Sequence, residues 1–574
     1  MGLAGQKRWV VATPAPAALS DRLSALSPLL VQILYNRGII SDDALASFLG
    51  GTPATLSPFL MQGMGEAVTL IRRTIADGEP IVVYGDYDVD GVTASAILVQ
   101  ALGALGAKVE PYIPSRADEG YGLNLDAIGA LAQDGLRLLV TVDCGTRSLD
   151  EVALAARLGL RVIITDHHHV GGALPQADVI LNPRQPTCLY PFKDLSGVGV
   201  AYKLVQALLR VNHQVPLPST QMDLDESDLL DLVALGTVAD MVPLLGENHA
   251  LVSAGLARLN AAQRPGLHAL MGITGVEPGK ITAKTIGYAL APRLNAAGRM
   301  KEAATALELL MATDMTEALP LAEELERLNQ ERRDLTSQVR EAARLMVSED
   351  EILPPLIFAA SDSFQQGVVG LAASRLLEEF YRPAVVVAIE GEFSKGSARS
   401  IPELHITEAL DELSELLVRH GGHAAAAGFT VRTERLPELR ARLLQLVSER
   451  LTGAVFMPVL RIDAEVSLSA LTLQAFQDLE RLQPFGYGNA EPVFVSRRVR
   501  VRNARVVGAE GRHLKLTLVD EIGHPWDGIA FRQGDWFGRL PESIDIAYFL
   551  ELNSWNGWEK LQLNIQDIHF PGET

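Results

Sequence analysis

Residues 81–98 read IVVYGDYDVDGVTASAIL, and no other stretch constrains the chain as tightly. A β-branched apolar run breaks into three alternating aspartates, Asp86, Asp88 and Asp90, followed by Gly91 and a helix-like segment. The pattern predicts a buried strand that delivers several carboxylates to one rim. Carboxylates crowded there repel one another and are costly to desolvate, and a bound cation relieves both penalties. A calcium loop does not fit: its twelfth position, counted from Asp86, is Ile97, where a bidentate Glu is needed.

The same arrangement recurs. LLVTVD (138–143) ends in Asp143, and RVIITDHHH (161–169) ends in Asp166, His167, His168 and His169. A further apolar run, LVALGTVAD (232–240), closes on Asp240. In an open α/β sheet the carboxyl ends of the strands share one edge, where ligands bind. A lone Asp at a strand end is commonly a helix cap, but several such ends beside a histidine cluster predict one shared site. Asp88, Asp90, Asp143, His167 and Asp240 offer mostly hard oxygen donors with one imidazole, a set that suits Mn2+ or Mg2+ better than zinc or copper. These donors exceed what one catalytic ion ordinarily needs, so two divalent metal ions are expected, with Asp143 bridging them. Asp86 is left open between ligand, partner of a ligand, and base. His169 is given no role.

At 574 residues the chain is too long for one core, and roughly three or four domains are expected. With 48% hydrophobic and 21% charged residues it reads as globular. No apolar run approaches the ~18 residues of a membrane span. The N-terminus has no apolar region long enough for a secretory signal. Gln6 stands where a myristoylation motif has Ser or Thr. The two cysteines, Cys144 and Cys188, form no C-x-x-C pair, which removes a disulfide framework and a structural zinc site and suits a cytoplasmic location. The net charge of −20 runs against nucleic-acid binding, which favours a basic surplus. An acidic chain can still hold a strand if its arginines line one groove, because affinity follows local phosphate contacts.

Residues 1–50 read as an N-terminal segment of short helices and loops, and 51–313 as a parallel α/β domain. Residues 314–348 carry Leu321, Leu325, Leu328, Leu335 and Val339 at helical spacing, with Asp314 as N-cap and Pro320 near the start; one long helix is expected. Residues 349–453 read as a second α/β domain, with strands near 356–360 and 384–389. From 454 to 574 short strands dominate: VLRIDAEVSL, PVFVSRRVRVRNARVVGA, HLKLTLV, IDIAYFLELN and LQLNIQDIHF. They suit a small barrel of the oligonucleotide-binding kind. Arg498, Arg500 and Arg502 fall two apart, on one strand face, and with Arg497 and Arg505 predict a patch that tracks phosphates.

The triplet Asp166-His167-His168, with DYDVDG and VDCGT upstream, resembles the DHH phosphoesterase superfamily. Further segments narrow the resemblance to RecJ-type single-strand-specific exonucleases. In order, these are LPQADVILNPRQPTC (174–188), LSGVGVAYKL (195–204), GTVADMVPL (236–244), PRLNAAGRM (292–300), GVVGLAASRLLEEFYRPAVV (367–386), GSARS (396–400), GGHAAAAGF (421–429) and PFGYGNAEPVF (484–494). The resemblance implies DHH and DHHA1 α/β domains joined by the long helix, with a C-terminal OB-like β-barrel. It implies a single-stranded-DNA-specific 5′-to-3′ exonuclease of DNA repair and recombination that releases 5′-mononucleotides. Single-stranded DNA is then the partner, with a helicase and a single-strand-binding protein as further candidates, and no membrane. Two metals would clamp the attacking and leaving oxygens of an in-line phosphodiester displacement.

Residue roles follow from the same resemblance. Asp166 is expected to accept a ring N–H of His167 and fix its tautomer. His168, facing the opposite way if the strand continues, is expected to donate to the scissile phosphate or leaving oxygen. Arg116, Arg293, Asn295, Ser397, Arg399, Gly422 and His423 match segments that surround substrate, including a pocket for a 5′-terminal phosphate. A bidentate arginine is well shaped for that terminus. One departure is Phe364-Gln365, where the family commonly has Trp-His: Phe364 could still stack, whereas Gln365 carries no charge. Smaller superfamily phosphodiesterases, acting on short oligonucleotides or cyclic dinucleotides, generally end after the GGH segment. Catalytically silent relatives lose metal ligands that this chain keeps.

Overall fold

Near-continuous Val, Ile and Leu runs have no polar face to turn to water, so their strands must be covered on both sides, as parallel sheets are. Five such strands form a parallel sheet in the order Lys108–Tyr112, Pro80–Gly85, Leu138–Val142, Arg161–Thr165, Val179–Leu181. The chain thus starts its second excursion on the opposite side of Pro80–Gly85. The crevice at this switch point, between Pro80–Gly85 and Leu138–Val142, is where doubly wound sheets bind ligands. This is a computed structural model, and it describes residues 7–50, 56–115, 122–301, 303–348, 353–454, 456–555 and 558–572.

Three helices, Val89–Ala104, Gly197–Gln214 and Leu230–Ala239, pack against one another beside this sheet. The run LVALGTVAD, grouped with the strand ends on sequence, is the last of these. It is buried on nearly every side, and a short apolar run carries no periodicity that separates such a helix from a strand. Asp240 therefore arrives at the C-terminal end of a helix.

Two compact units make up the chain: Met1–Gly298, Glu302–Glu323 and Val459–Thr574 in the first, Arg299–Lys301 and Glu324–Pro458 in the second. The helix Met315–Ser348 connects them. Its 34 residues run about 50 Å, and Asp314 caps it, Oδ1 accepting from the N–H of Thr316 at 2.7 Å and Glu317 at 3.0 Å. The second unit has a five-stranded sheet in the order Leu417–His423, Ala426–Arg432, Phe393–Arg399, Ala384–Glu390, Ile357–Ser361. Phe364 is 4% exposed in a core with Val339, Ile357 and Ala372, so it is a packing residue and not a stacking one. Gln365 stands at the N-cap of Gln366–Phe380 and makes no side-chain cap bond.

In the C-terminal barrel, Phe494–Val507, His513–Val519, Pro525–Ala530, Trp558–His569 and Ser543–Trp555 pair in that order, and the last closes on the first. The fifth member differs from expectation. Pro525–Ala530 completes the ring, while the VLRIDAEVSL segment only adds Ala464–Glu465 along Phe494–Val495 and Val459–Ile462 beside the N-terminal strand Arg8–Val11. Residues 7–50 belong to this part of the molecule. Leu30, Ile33, Leu34, Leu45 and Phe48 share one buried cluster with Leu514, Leu516, Ile546 and Leu563.

Candidate metal centre

The three aspartates after Pro80–Gly85 do not continue the strand. Asp86 lies in the loop, Asp88 caps the helix Val89–Ala104, and Asp90 sits in its first turn. Asp88 Oδ1 accepts from the N–H of Asp90 at 2.9 Å and of Gly91 at 3.2 Å. Gly91 permits this tight start, since a Cβ there would lie 2.5 Å from the Asp86 carbonyl oxygen. Asp90 turns inward, Oδ2 accepting from Gly197 N–H at 2.6 Å and Oδ1 from Val198 N–H at 2.8 Å. These donors open the helix Gly197–Gln214, whose N-terminus favours an anion.

Asp143 follows Leu138–Val142 in a left-handed conformation, φ 61°, uncommon for a residue with a Cβ but tolerated best by Asp and Asn. Gly197 passes so close that a Cβ on it would lie 2.6 Å from Asp143 Oδ1. Around Asp143 the other ligand types converge. His167 Nε2 is 3.1 Å from Asp143 Oδ1, 3.6 Å from Asp240 Oδ2 and 3.9 Å from Asp90 Oδ2. Donor atoms of Asp90, His167 and Asp240 lie within 4.8 Å of one another, as do those of Asp86, Asp88 and Asp143 and those of Asp143, His167 and His168.

Two histidine expectations need correcting. The strand stops at Thr165, so His168 does not alternate away from His167: the rings meet edge to face, 4.5 Å between centroids. Asp166 also serves His168 and not the ring of His167. Its Oδ1 lies 2.8 Å from His168 Nδ1 and accepts the backbone N–H of both histidines, while Oδ2 accepts from Thr146 N–H at 2.9 Å.

The electrostatics separate the two imidazoles. Burial, helped by the neighbouring His168, lowers the pKa of His167 to about 3, so this ring is neutral and ready to ligate. Burial pulls His168 the same way, but the bond to Asp166 and the charges of Asp86 and Asp88 outweigh it and hold its pKa above the usual value. The carboxylates move upward. Burial raises Asp90 to about 7, with the Asp88 charge adding and the Gly197 and Val198 N–H groups opposing. Asp143 and Asp240 are raised by burial and then by their acidic neighbours, Arg184 opposing at Asp240.

A cation answers this arrangement. His167 Nε2 and Asp240 Oδ2 are buried without a hydrogen bond, although acceptor atoms crowd that nitrogen. Lone pairs facing lone pairs in a dry site are unfavourable, and the donor set is mainly carboxylate oxygen with one neutral imidazole. The residues therefore fit divalent ions of the Mn2+ or Mg2+ kind, with Asp143 common to two of the groups. Asp86 is brought in with Asp88, the reading left open on sequence.

Other predicted residues divide by location. Arg116 lies outside the described residues. Asn295 Oδ1 accepts from Val89 N–H at 3.2 Å, so this residue braces the aspartate loop. Arg293 Nη1 donates to Ala289 O at 2.6 Å. In the second unit Ser397 and Arg399 share the strand Phe393–Arg399, and Arg399 Nη1 donates to Ser397 Oγ at 2.9 Å. Gly370 makes room for them, since a Cβ there would lie 3.0 Å from Ser397 Oγ and 3.1 Å from Arg399 Nη2. Gly422 and the exposed His423 end the strand Leu417–His423, and a Cβ on Gly422 would lie 2.3 Å from the Ala426 carbonyl oxygen.

In the barrel, Arg498, Arg500 and Arg502 are exposed, and their side chains make no hydrogen bond or ion pair among the described residues. They do not ride a regular strand, because the register shifts across Arg498, between Ser496 and Val499, and across Arg502, between Val501 and Asn503, and Arg498 has φ 50°. Arg497 is tied to Asp545 at 3.0 Å.

Sequence reasoning gave Asn182 and Arg184 no role, although it noted the segment 174–188 that holds them. Asn182 Nδ2 donates to Thr146 Oγ1 at 3.0 Å and His168 O at 2.9 Å, and its Oδ1 accepts from Arg184 N–H. Arg184 reaches His169 Nε2 at 2.5 Å, so His169, given no role on sequence, is held in place. The phrase NPR after a strand was the available signal.

Comparison with known proteins covers all three parts. The DHH family, N-terminal domain, matches residues 80–237, the DHHA1 domain 354–449 and the RecJ OB domain 462–567. The chain is similar to a single-stranded-DNA-specific exonuclease RecJ of Bacillus subtilis, 39% identical over 98% of this chain and 71% of that one. It is also similar to its namesake in Dickeya dadantii, 37% identical over 96% of this chain and 98% of the relative. A crystal structure of RecJ in complex with Mn2+ from Thermus thermophilus superposes with a TM-score of 0.84 at 32% identity, covering 99% of this chain and 80% of that one. The Mg2+ complex of RecJ from the same organism gives 0.78 at 32% identity, over 99% and 79%.

Proposed function

The chain belongs to the RecJ family of single-stranded-DNA-specific exonucleases, and from that premise we propose that it shortens single-stranded DNA by metal-dependent phosphodiester hydrolysis, in DNA repair and recombination. The observation that carries this reading is the gathering of Asp86, Asp88, Asp90, Asp143, His167 and Asp240 at the switch point of the parallel sheet. When bound there, two divalent ions, Mn2+ or Mg2+, supply Lewis acidity: they make water acidic enough to attack at neutral pH and offset the charge of the phosphate.

The chain's own residues do the rest. Asp88, Asp90, Asp143, His167 and Asp240 would hold the ions, with Asp86 in the same group as Asp88 and Asp143. The N-terminus of Gly197–Gln214 and the brace from Asn295 orient the carboxylates. His168 keeps a proton because Asp166 supports it, and it presents that proton to the scissile phosphate or the leaving oxygen. Ser397 and Arg399 are read as binders of a 5′-terminal phosphate, which sets the direction 5′ to 3′ and the release of 5′-mononucleotides. The exposed arginines of the barrel hold a longer strand, which favours a polymer substrate over cyclic dinucleotides. Such an enzyme needs its strand supplied unpaired, so a helicase and a single-strand-binding protein are its expected partners, in the cytoplasm.

Digestion of end-labelled single strands, 5′-phosphorylated or not, tests the proposal. Mononucleotide release should require Mn2+ or Mg2+ and stop in EDTA. Asp143→Ala should lose at least ~10³-fold in rate. Loss of label from the 3′ end first, or turnover in EDTA, would overturn it.

A further inference from the structure

We propose that Tyr288 stacks on a base of the substrate strand, one turn of helix from the Arg293 guanidinium, and so helps admit only unpaired DNA to the metal centre. The proposal rests on the exonuclease reading above and adds a residue that reads the bases.

The segment Ala283–Met300 is helical throughout, but its middle turn, Ile286–Leu290, is wider: the Ala291 N–H bonds back to the Ile286 carbonyl, five residues earlier. Pro292 accounts for this. A proline inside a helix has no N–H to give and clashes with the carbonyl four residues before it, here that of Tyr288. A widened turn absorbs the clash, and such turns are frequent at functional sites.

The consequence is a divided turn. Ile286 and Leu290 are buried, and this turn packs against the helix Leu230–Ala239 that ends at Asp240. Tyr288 points out, 82% exposed, and its hydroxyl makes no hydrogen bond among the described residues. A lone exposed tyrosine would be ordinary; its surroundings are not. Arg293 folds back to donate to Ala289 O, which sets a cation beside the ring's own turn. Seven residues along the same helix from Tyr288, Asn295 Oδ1 accepts from Val89 N–H, next to Asp88. A turn further on, Gly298 lies against the Tyr87 carbonyl, where a Cβ would come within 2.6 Å.

Ring, cation and metal loop therefore follow one another along a single rigid element. The axial distance from Tyr288 to Asn295 is about 10 Å at the α-helical rise of about 1.5 Å per residue. That equals about three nucleotides at the duplex rise of about 3.4 Å, and fewer in an extended strand. Bases in a duplex are already stacked and paired, whereas an unpaired base offers a free face to an aromatic ring while a nearby arginine takes its phosphate. The widened turn thus presents chemistry suited to a single strand a fixed distance from the cleavage point.

The test uses the full-length protein with wild-type Tyr288 and the variants Tyr288→Ala, Tyr288→Phe and Tyr288→Trp. Substrates are an oligothymidylate and a series carrying one abasic nucleotide, stepped inward from the 5′ end. Binding is read in EDTA, and KM and kcat are read with Mn2+. Tyr288→Ala should raise Kd and KM about tenfold and leave kcat within about twofold, and the two aromatic variants should restore binding. In the wild type, one abasic position should cost the same factor, and in Tyr288→Ala that position should cost nothing more. The proposal fails if Tyr288→Ala binds like the wild type, or if the abasic profile is identical in both. If the wild type hydrolyses no strand but shows the abasic signature in EDTA, the exonuclease reading falls and the stacking stands. If it binds no single strand at all, the stacking falls.

Discussion

The crowding of Asp90, Asp143 and Asp240 makes the stability of the metal-free protein depend on pH, and raising the pH in EDTA is the perturbation that exposes it. A carboxyl whose pKa is raised by folding from 3.8 to about 7, as at Asp90, binds more protons in the folded chain than in the unfolded one between those values. Stability then falls as pH rises through that window, and the penalty is complete above about pH 7. Roughly three pKa units at about 1.36 kcal/mol each give about 4 kcal/mol for Asp90 alone. Asp143 and Asp240 are raised for the same reasons and act in the same direction. A divalent ion reverses the effect, because it binds the deprotonated carboxylates and expels their protons.

Melting temperatures in EDTA and in Mn2+ should therefore diverge as pH increases. At roughly 1 °C per kcal/mol for a unit of more than four hundred residues, with about 2.1 cal/mol/K of unfolding entropy per residue, the gap should widen by on the order of 4 °C between about pH 5 and about pH 8. Asp143→Asn supplies the control. It removes a buried charge without changing shape, so in EDTA it should melt above the wild type at about pH 8 and close to it at about pH 5, and it should lose most of the Mn2+ shift. A metal-induced gap of equal size at both pH values would refute the reasoning. So would an Asp143→Asn variant no more stable than the wild type in EDTA at the higher pH.

Three further outcomes are expected. Asp166→Asn withdraws the carboxylate that holds the pKa of His168 above its usual value, so the alkaline limb of the kcat profile should move to lower pH and kcat should fall about 10–100-fold; an unmoved limb would remove His168 as the proton donor. Arg399→Ala should cost about 1.5–3 kcal/mol, roughly tenfold to a hundredfold, on 5′-phosphorylated strands and far less on hydroxyl-ended ones. Equal slowing of both would end the terminal-phosphate assignment. Replacing Arg498, Arg500 and Arg502 together by Ala should lower the log–log salt slope for long-strand binding by close to one unit per lost contact, measured by titration, while very short oligonucleotides are cleaved as before; wild-type slope would make them a solvated face.

How much of this is legible in the sequence depends on whether the signal is local. Asp86, Asp88, Asp143 and His167 follow apolar runs at once, and burial of such a run fixes where its end emerges. The same logic finds the long helix, because Asp314 and the leucine spacing are both local. Residues 7–50 read as separate helices because nothing in them reveals that Leu30, Ile33 and Phe48 complete the core of a barrel more than four hundred residues away. Pro525–Ala530 escapes a sequence reading because Pro525 and Gly528 suppress its strand signal, although Trp526 and Ala530 point into the core. The alternation of Arg498, Arg500 and Arg502 is visible. The two register shifts that fall on Arg498 and Arg502 are not, since a bulge depends on the partner strands.

Asp240 shows why a site can be found from a wrongly assigned element. As a strand end it would have lain at the edge of the sheet, where Asp86 and Asp143 follow their strands. As the C-cap of a helix packed on Val89–Ala104, it comes within 3.6 Å of His167 Nε2. Either route predicts that an ionisable residue closing a buried apolar run lies where the packing ends. The helix brings the Asp240 carboxylate to the donor atoms of Asp90 and His167 together, all within 4.8 Å of one another. Gly236 shows how closely the two helices must meet for this: a Cβ there would lie 2.2 Å from Thr93 Oγ1 and 3.0 Å from Asp90 Oδ1. The glycine in GTVAD is therefore as much a part of the centre as the aspartate that follows it, since Gly236→Ala would push Asp240 away from Asp90 and open the donor cage without removing a single ligand.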